Sequence, residues 1–270
     1  MSQYDQFTIA TAKQDGRLLT VSFNRPERLN AMSGGLPEEF QAILQIAAKD
    51  ESVGAILVRG EGRAFCAGGD VKDFDEAASA AEPMKPSLRV TSTLHGAHML
   101  DVILSVPQPI VAAVHGYAMG LGATIALFCD VVVAAEDAII ADSHVAIALV
   151  AGDGGAVMFP LLMPLGAARW YLMTGDRISG AEAARLGMVL KAVPAADLLE
   201  EATRCATRLA EGAPMAIQGT KAAINKIVHD RMDLVLDYGL LLEGATFVSE
   251  DHKEASAAFV EKRQPKFQGR

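Results

Sequence analysis

The stretch from Ile110 to Phe128 reads IVAAVHGYAMGLGATIALF, and it constrains the fold more than any other part of the chain. It reaches the roughly 18 apolar residues at which a membrane-crossing helix becomes an option. Its interior argues against one. His115, Tyr117 and the glycines Gly116, Gly120 and Gly122 interrupt it, and Pro107 and Pro109 stand just before it. The pattern predicts a buried strand over residues 110–114, a glycine turn, and a buried helix over residues 118–128. A further apolar strand over residues 131–134 follows at once. Strand, helix, strand with short connections implies an α/β fold built from crossover units.

The flanking segments agree. Residues 7–11 and 19–23 alternate apolar and polar around Asp15-Gly16, the pattern of a β-hairpin. Pro37 suits the first turn of a helix in which Phe40, Ile43, Leu44 and Ala47 recur at helical spacing. A short strand over residues 53–58 leads into a glycine-rich loop from Gly60 to Asp70. Residues 77–86 are rich in Ala, Glu and Pro, and a helix is predicted over residues 88–104. Ser179 and Glu182 form a capping-box pattern before an alanine-rich helix that Gly187 ends. A last strand over residues 189–193 is followed, from Asp197, by segments that read helical, with breaks at Gly212-Ala213-Pro214 and near Asp230. The chain thus divides into an α/β core, residues 1–196, and a helical C-terminal region, residues 197–270.

Bulk properties narrow the function. The net charge of -9 and the lack of any Lys/Arg block argue against nucleic acid as a partner. Cys66, Cys129 and Cys205 are odd in number and widely spaced, which argues against a disulfide framework and for a reducing, cytoplasmic setting. The N-terminal MSQYDQFTIA lacks the pattern of a secretory signal. Neither a GxSxG elbow, an HExxH helix nor a phosphate-binding Walker loop is present. His95, His98 and Asp101 are three apart and share one face of a predicted helix, but surface residues follow the same spacing, and no metal is expected.

Two strand-to-helix junctions carry more information: GEGRAFCAGGDVKDF from Gly60 to Phe74, and VHGYAMGLGATIALFCD from Val114 to Asp130. Glycines let the backbone approach a ligand closely and leave amides free, and a helix N-terminus adds partial positive charge. Two such amides converging on one oxygen make an oxyanion hole.

Together with NRPERLNAM, CDVVVAAEDA, LMTGDRISGAEAARLGMV and SAAFVEKRQPKF, in that order along nearly the whole chain, these junctions resemble the crotonase (enoyl-CoA hydratase/isomerase) superfamily. The resemblance implies a spiral of ββα units with a helical C-terminal region, assembled as homotrimers or as hexamers of paired trimers. It implies an acyl-CoA thioester as substrate, with coenzyme A arriving as part of that substrate and no separate cofactor. It places the oxyanion-hole amides at Gly69 and Leu121. Lys72, and less directly Arg28, match positions near the CoA phosphates, and Phe259 and Lys262 match C-terminal positions that reach CoA.

The chain departs from the family at its centre. A standard hydratase uses two glutamates for acid–base work across one C=C bond. Those positions fall here on Thr124, a substrate-facing position, and on His144. His144 is the candidate replacement base, since an ordinary imidazole pKa of about 6.5 suits proton transfer near neutrality. Asp153, nine residues on in a glycine turn, is placed to fix its tautomer. This spacing is similar to that in 6-oxocamphor hydrolase, a crotonase that cleaves a carbon–carbon bond between two ketones and also uses a glutamate in its C-terminal helices. Glu243 falls at the matching place. Three readings follow. One is an acyl-CoA lyase or isomerase that stabilises a thioester enolate, with His144 as acid/base. The second is a retro-Claisen hydrolase of a β-diketone or β-ketoacyl-CoA. The third is a catalytically silent oligomeric scaffold.

Overall fold

The computed structural model describes residues 2–69 and 98–270. Six strands form the main sheet: β1 (Ala10–Asp15), β2 (Leu18–Phe23), β3 (Ala55–Gly60), β4 (Ile110–Val114), β6 (Val131–Ala135) and β9 (Lys191–Val193), in the order β1-β2-β3-β4-β6-β9. Within this sheet β1 and β2 pair antiparallel, as the expected hairpin, and the later strands pair parallel. A second sheet holds β5 (Tyr117–Met119), β7 (Ile139–Ala141) and β8 (Ile178–Ser179) in the order β5-β7-β8. The first strand begins at Ala10, later than its alternation predicts. The amides of Thr8, Ile9 and Ala10 instead donate to one carboxylate oxygen of Glu39, at 3.0, 2.7 and 2.9 Å.

Helix α1 (Leu36–Ala47) buries Phe40, Ile43, Leu44 and Ala47, the stripe read from the sequence. Phe40 meets Phe23 of β2 edge to face at 5.1 Å. Helix α2 covers residues 98–105, with His98 and Asp101 exposed. Residues 77–86 and His95 lie outside the described residues. The predicted helix over residues 118–128 begins later, as α3 (Leu121–Phe128), because residues 117–119 pair as β5. After it come α4 (Gly155–Leu162), α5 (Leu165–Thr174), α6 (Gly180–Leu186), α7 (Leu198–Ala210), α8 (Pro214–Thr246) and α9 (Glu250–Glu261). The Ser179 hydroxyl caps α6 by accepting from the Glu182 amide at 3.1 Å, and Gly187 ends it in the left-handed region at φ 84.

Helix α7 lies on the main sheet, where Ala202, Ala206 and Ala210 give it a flat buried face. The chain breaks at Gly212-Ala213-Pro214 as expected, but the expected break near Asp230 is absent. Helix α8 runs unbroken through it, because buried Asn225, Met232, Leu236, Leu240 and Glu243 continue one stripe. The helical run is interrupted only at residues 247–249. Among the described residues, no helix is long and apolar enough to cross a membrane.

Candidate active site

The two glycine-rich junctions are laced together. Phe65 and Cys66 donate their amides to the carbonyls of His115 and Tyr117 at 3.0 and 2.9 Å, and the Met119 amide returns to the Cys66 carbonyl at 3.0 Å. Gly68 has a φ of +88, and a Cβ there would sit 2.5 Å from the Met119 carbonyl and 3.5 Å from the Leu121 nitrogen. Only glycine lets these two backbones meet. Leu121 opens α3, so its N–H belongs to the first turn, where amides lack intrahelical acceptors and the helix dipole is positive. Gly68-Gly69 and Leu121 thus lie side by side at one end of α3.

The same end of α3 faces His144: a Cβ placed on Gly120 would lie 3.6 Å from the His144 Cε1. His144 opens a 3-10 turn just past β7. Its Nδ1 is 2.7 Å from Asp142 Oδ1, and its Nε2 is 3.4 Å from Asp153 Oδ2 and 3.9 Å from Glu243 Oε1. Asp153 accepts the Thr124 hydroxyl at 3.1 Å and the Gly155 amide. The structure thus brings together His144, Asp153, Glu243 and Thr124, and adds Asp142.

The turn Gly152-Asp153-Gly154-Gly155 is what allows this density. A Cβ on Gly152 would lie 2.7 Å from Glu243 Oε2, one on Gly154 would lie 2.6 Å from Thr124 Cγ2, and one on Gly155 would lie 2.0 Å from Asp142 Oδ2. Each glycine makes room for one polar side chain of the site. Gly154 also has a φ of +128, a conformation that side-chain-bearing residues rarely adopt.

These contacts decide the charges. Burial opposes the imidazolium, but Asp153 and Asp142 outweigh it and hold the His144 pKa well above its ordinary value. Burial likewise works against the Asp153 carboxylate, and His144 with its hydrogen bonds overcomes it, so the pKa is lowered. Glu243 has no such compensation. Burial, then the neighbouring Asp153, push it up to about 8, with His144 only partly offsetting them. Near neutral pH the site therefore holds an imidazolium, the Asp153 carboxylate and a protonated Glu243.

The pattern that defines the enoyl-CoA hydratase/isomerase family matches residues 13–270. This chain belongs to that family. It is 32% identical to a probable mitochondrial enoyl-CoA hydratase of Dictyostelium discoideum, over 97% of this chain and 91% of that protein. It is 30% identical to a short-chain-enoyl-CoA hydratase of Clostridium acetobutylicum, over 93% and 94%. Among solved structures, an enoyl-CoA hydratase/isomerase from Mycobacterium paratuberculosis superposes with a TM-score of 0.85 at 33% identity, covering 94% of this chain and 99% of that one. The mixed α/β architecture with its helical C-terminal region is the crotonase fold, and the chain is a crotonase-type enzyme that processes acyl-CoA.

Against the family pattern, Gly69 and Leu121 are adjacent elements of one site, whereas Lys72 lies outside the described residues. Arg28 is exposed on the 3-10 turn Pro26–Arg28, and Phe259 and Lys262 are exposed at the C-terminal end of α9. Two expectations for the centre change. His144 is not poised near its ordinary pKa, because two carboxylates flank it. The nitrogen facing Asp153 is Nε2, while Nδ1 is held by Asp142, a residue the sequence reading missed. The available signal was local: an aspartate two residues before a histidine at a strand end can accept that histidine's own amide, as Asp142 does at 3.2 Å. Ligand atoms of Asp142, His144 and Asp153 lie within 4.8 Å of one another, compact enough for a cation. A metal there would displace both imidazole contacts, and the imidazolium already supplies the positive charge.

The raised Glu243 pKa has a measurable sign. A carboxyl with a folded pKa of about 8 and an unfolded one of about 4.3 stabilises the folded state fully below the lower value. That contribution is lost as pH rises toward the higher value. Glu243→Gln removes the titration, so its melting temperature is expected to gain on the wild type between about pH 5 and 8 and to hold a constant lead above. Parallel melting curves across that range would show that Glu243 is not held protonated.

Proposed function

We propose that the protein adds water across the α,β C=C bond of an enoyl-CoA thioester through an enolate, with the Gly69 and Leu121 amides receiving the enolate oxygen. The carrying observation is His144 Nε2 held 3.4 Å from Asp153 Oδ2 beside the N-terminus of α3. A reaction of this class needs one proton donor and one acceptor at the reacting carbon. The imidazolium is the donor and Asp153 the acceptor. Asp153 takes a proton from the attacking water as His144 delivers one to the α-carbon, and the short gap between them returns the proton for the next cycle. Thr124 anchors Asp153 through its hydroxyl. One donor–acceptor pair thus does the work that two glutamates do in a standard hydratase.

A specific observation favours a second reaction class at the same site. Glu243 approaches His144 Nε2 to 3.9 Å from the C-terminal helices. A protonated carboxyl there suits a substrate with a second carbonyl, where water addition is followed by carbon–carbon cleavage of a β-ketoacyl-CoA or a β-diketone. Assembly into trimers or hexamers belongs to the same reading. Leu234, Tyr238 and Leu241 on α8, with Phe259 and Val260 on α9, expose an apolar face suited to subunit contact.

The test is product analysis in H₂¹⁸O. Crotonyl-CoA is expected to give a hydroxyacyl-CoA with ¹⁸O at the β-carbon if hydration is the reaction. Acetoacetyl-CoA or a cyclic diketone is expected to give a carboxylate carrying ¹⁸O if cleavage is. Binding of these thioesters without incorporation of label into any product would sink both readings and leave a silent scaffold.

A further inference from the structure

We infer that Asp142 is the positioning residue of the proton-transfer centre: it holds Nδ1–H of His144 and so fixes which ring nitrogen faces Asp153 and Glu243. The inference rests on the reading of His144 as the group that moves protons.

Asp142 follows β7 directly and is only 2% exposed. Its Oδ1 accepts the His144 backbone amide at 3.2 Å and meets ring Nδ1 at 2.7 Å. One oxygen therefore ties both ends of the histidine, leaving the ring little freedom about its side-chain bonds. An ionised carboxylate is an acceptor only, so Nδ1 has to be the protonated nitrogen whenever the ring is neutral. The carboxylate is itself fixed by packing: its Oδ2 makes no hydrogen bond among the described residues and rests against Gly155, where a Cβ would come within 2.0 Å of it.

Asp153 is placed differently. Its distance to Nε2 is 3.4 Å, and its oxygens are shared with Thr124 and the Gly155 amide. A group that both orients the ring and receives protons from it would lose its grip at each turnover. The structure separates the tasks: Asp142 orients through Nδ1, and Asp153 exchanges protons at Nε2. A buried carboxylate whose one hydrogen-bonding oxygen serves both the ring and the amide of a single histidine is placed to orient that histidine.

The test is the tautomer of His144, read by long-range ¹H–¹⁵N correlation of histidine-labelled protein, with His144→Gln assigning the signal. In the wild type the neutral ring is expected to carry its proton on Nδ1. In Asp142→Leu the proton is expected on Nε2, toward Asp153, and the titration of the ring is expected to move to lower pH. The expected loss in kcat lies between about 10²-fold and the roughly 10⁴-fold that a wrongly set tautomer costs a serine protease, with KM nearly unchanged. Asp142→Asn is isosteric, but its amide N–H donates to Nδ1, so it is expected to keep the fold and still move the ring proton to Nε2, the change that costs a serine protease roughly 10⁴-fold. Gly155→Ala displaces the carboxylate without removing it, and is expected to reproduce the Asp142→Leu spectrum even if the leucine variant does not fold. Unchanged His144 signals in Asp142→Leu or Gly155→Ala would overturn the inference. A tautomer change without loss of kcat would uphold the hold of Asp142 on the ring and remove His144 from the chemistry instead.

Discussion

Replacing His144 by glutamine is expected to lower kcat by about 10²- to 10⁴-fold, the range of a lost general acid–base group, while acyl-CoA binding persists. Glutamine keeps a hydrogen-bonding side chain of similar reach but carries no transferable proton. The backbone at Gly68-Gly69 and Leu121, proposed above to receive the enolate oxygen, is held by its own hydrogen bonds, including Met32 N–H to the Gly68 carbonyl at 2.8 Å, and none of these passes through His144. The variant is therefore expected to be stabilised by CoA thioesters in a thermal-shift titration as well as the wild type is. Rates within a few-fold of wild type on a verified substrate would exclude His144 from the mechanism.

The second large effect concerns stability, at the other end of α3. Lys221 of α8 is buried, and its ammonium donates to Asp130 at 2.7 Å and to the Gln108 carbonyl at 3.0 Å. Around it lies an apolar cavity of about 500 Å³, walled by Leu104, Leu127, Phe128, Met158 and Ile217 among others. Asp130→Ala strands that ammonium in a mostly apolar space and also strips the Ile110 amide of its 2.7 Å acceptor. Lys221 is buried and Asp130 is not, so the loss is that of a buried ammonium left with only the Gln108 carbonyl, about 1–3 kcal/mol, which for a chain of this size lowers the melting temperature by roughly 5 °C. Lys221→Met is expected to cost less. Asp130 is the more exposed partner and keeps the Ile110 amide, so it can turn to water. Equal losses from the two variants would mean that the pair is not buried asymmetrically. Activity offers a further check, because α8 is pinned here by Lys221 and by Asn225, which donates to the Leu104 carbonyl at 2.9 Å. The same helix carries Glu243 to the site about 33 Å further on.

Much of this architecture was legible from residue order. The glycines of both junctions, the buried stripe of α1, the Ser179 cap and the break before Pro214 all depend on local chemistry, and the structure has them where the sequence places them. Features that depend on distant partners were not legible. Glu39 claims three amides at the entry to β1 and delays the strand, and nothing near residues 8–10 announces it. Helix α8 passes Asp230 because its buried stripe continues beyond the charged segment. At the site, the residue types His144, Asp153 and Glu243 could be named, but not their protonation. That follows from distances of 2.7, 3.4 and 3.9 Å set by three separate elements. Asp142 stood beside His144 in plain view, yet an aspartate at a strand end is common enough to pass for a turn residue.

The turn Gly152-Asp153-Gly154-Gly155 has a consequence for how such a site could have arisen. Because each glycine is the mould for a different side chain, the members of the site are not independently exchangeable. Restoring glutamates at positions 124 and 144 would leave Asp142 and Glu243 seated against glycines shaped for them, with no imidazolium to balance their charge. Converting this site to a two-glutamate arrangement would therefore take a coordinated set of changes after β7, on α3, in the turn before α4 and on α8. Each intermediate along the way would carry either an unfilled gap or an uncompensated charge. The site is therefore expected to behave as one unit, in which changing any single member disturbs the seating or the charge of the others.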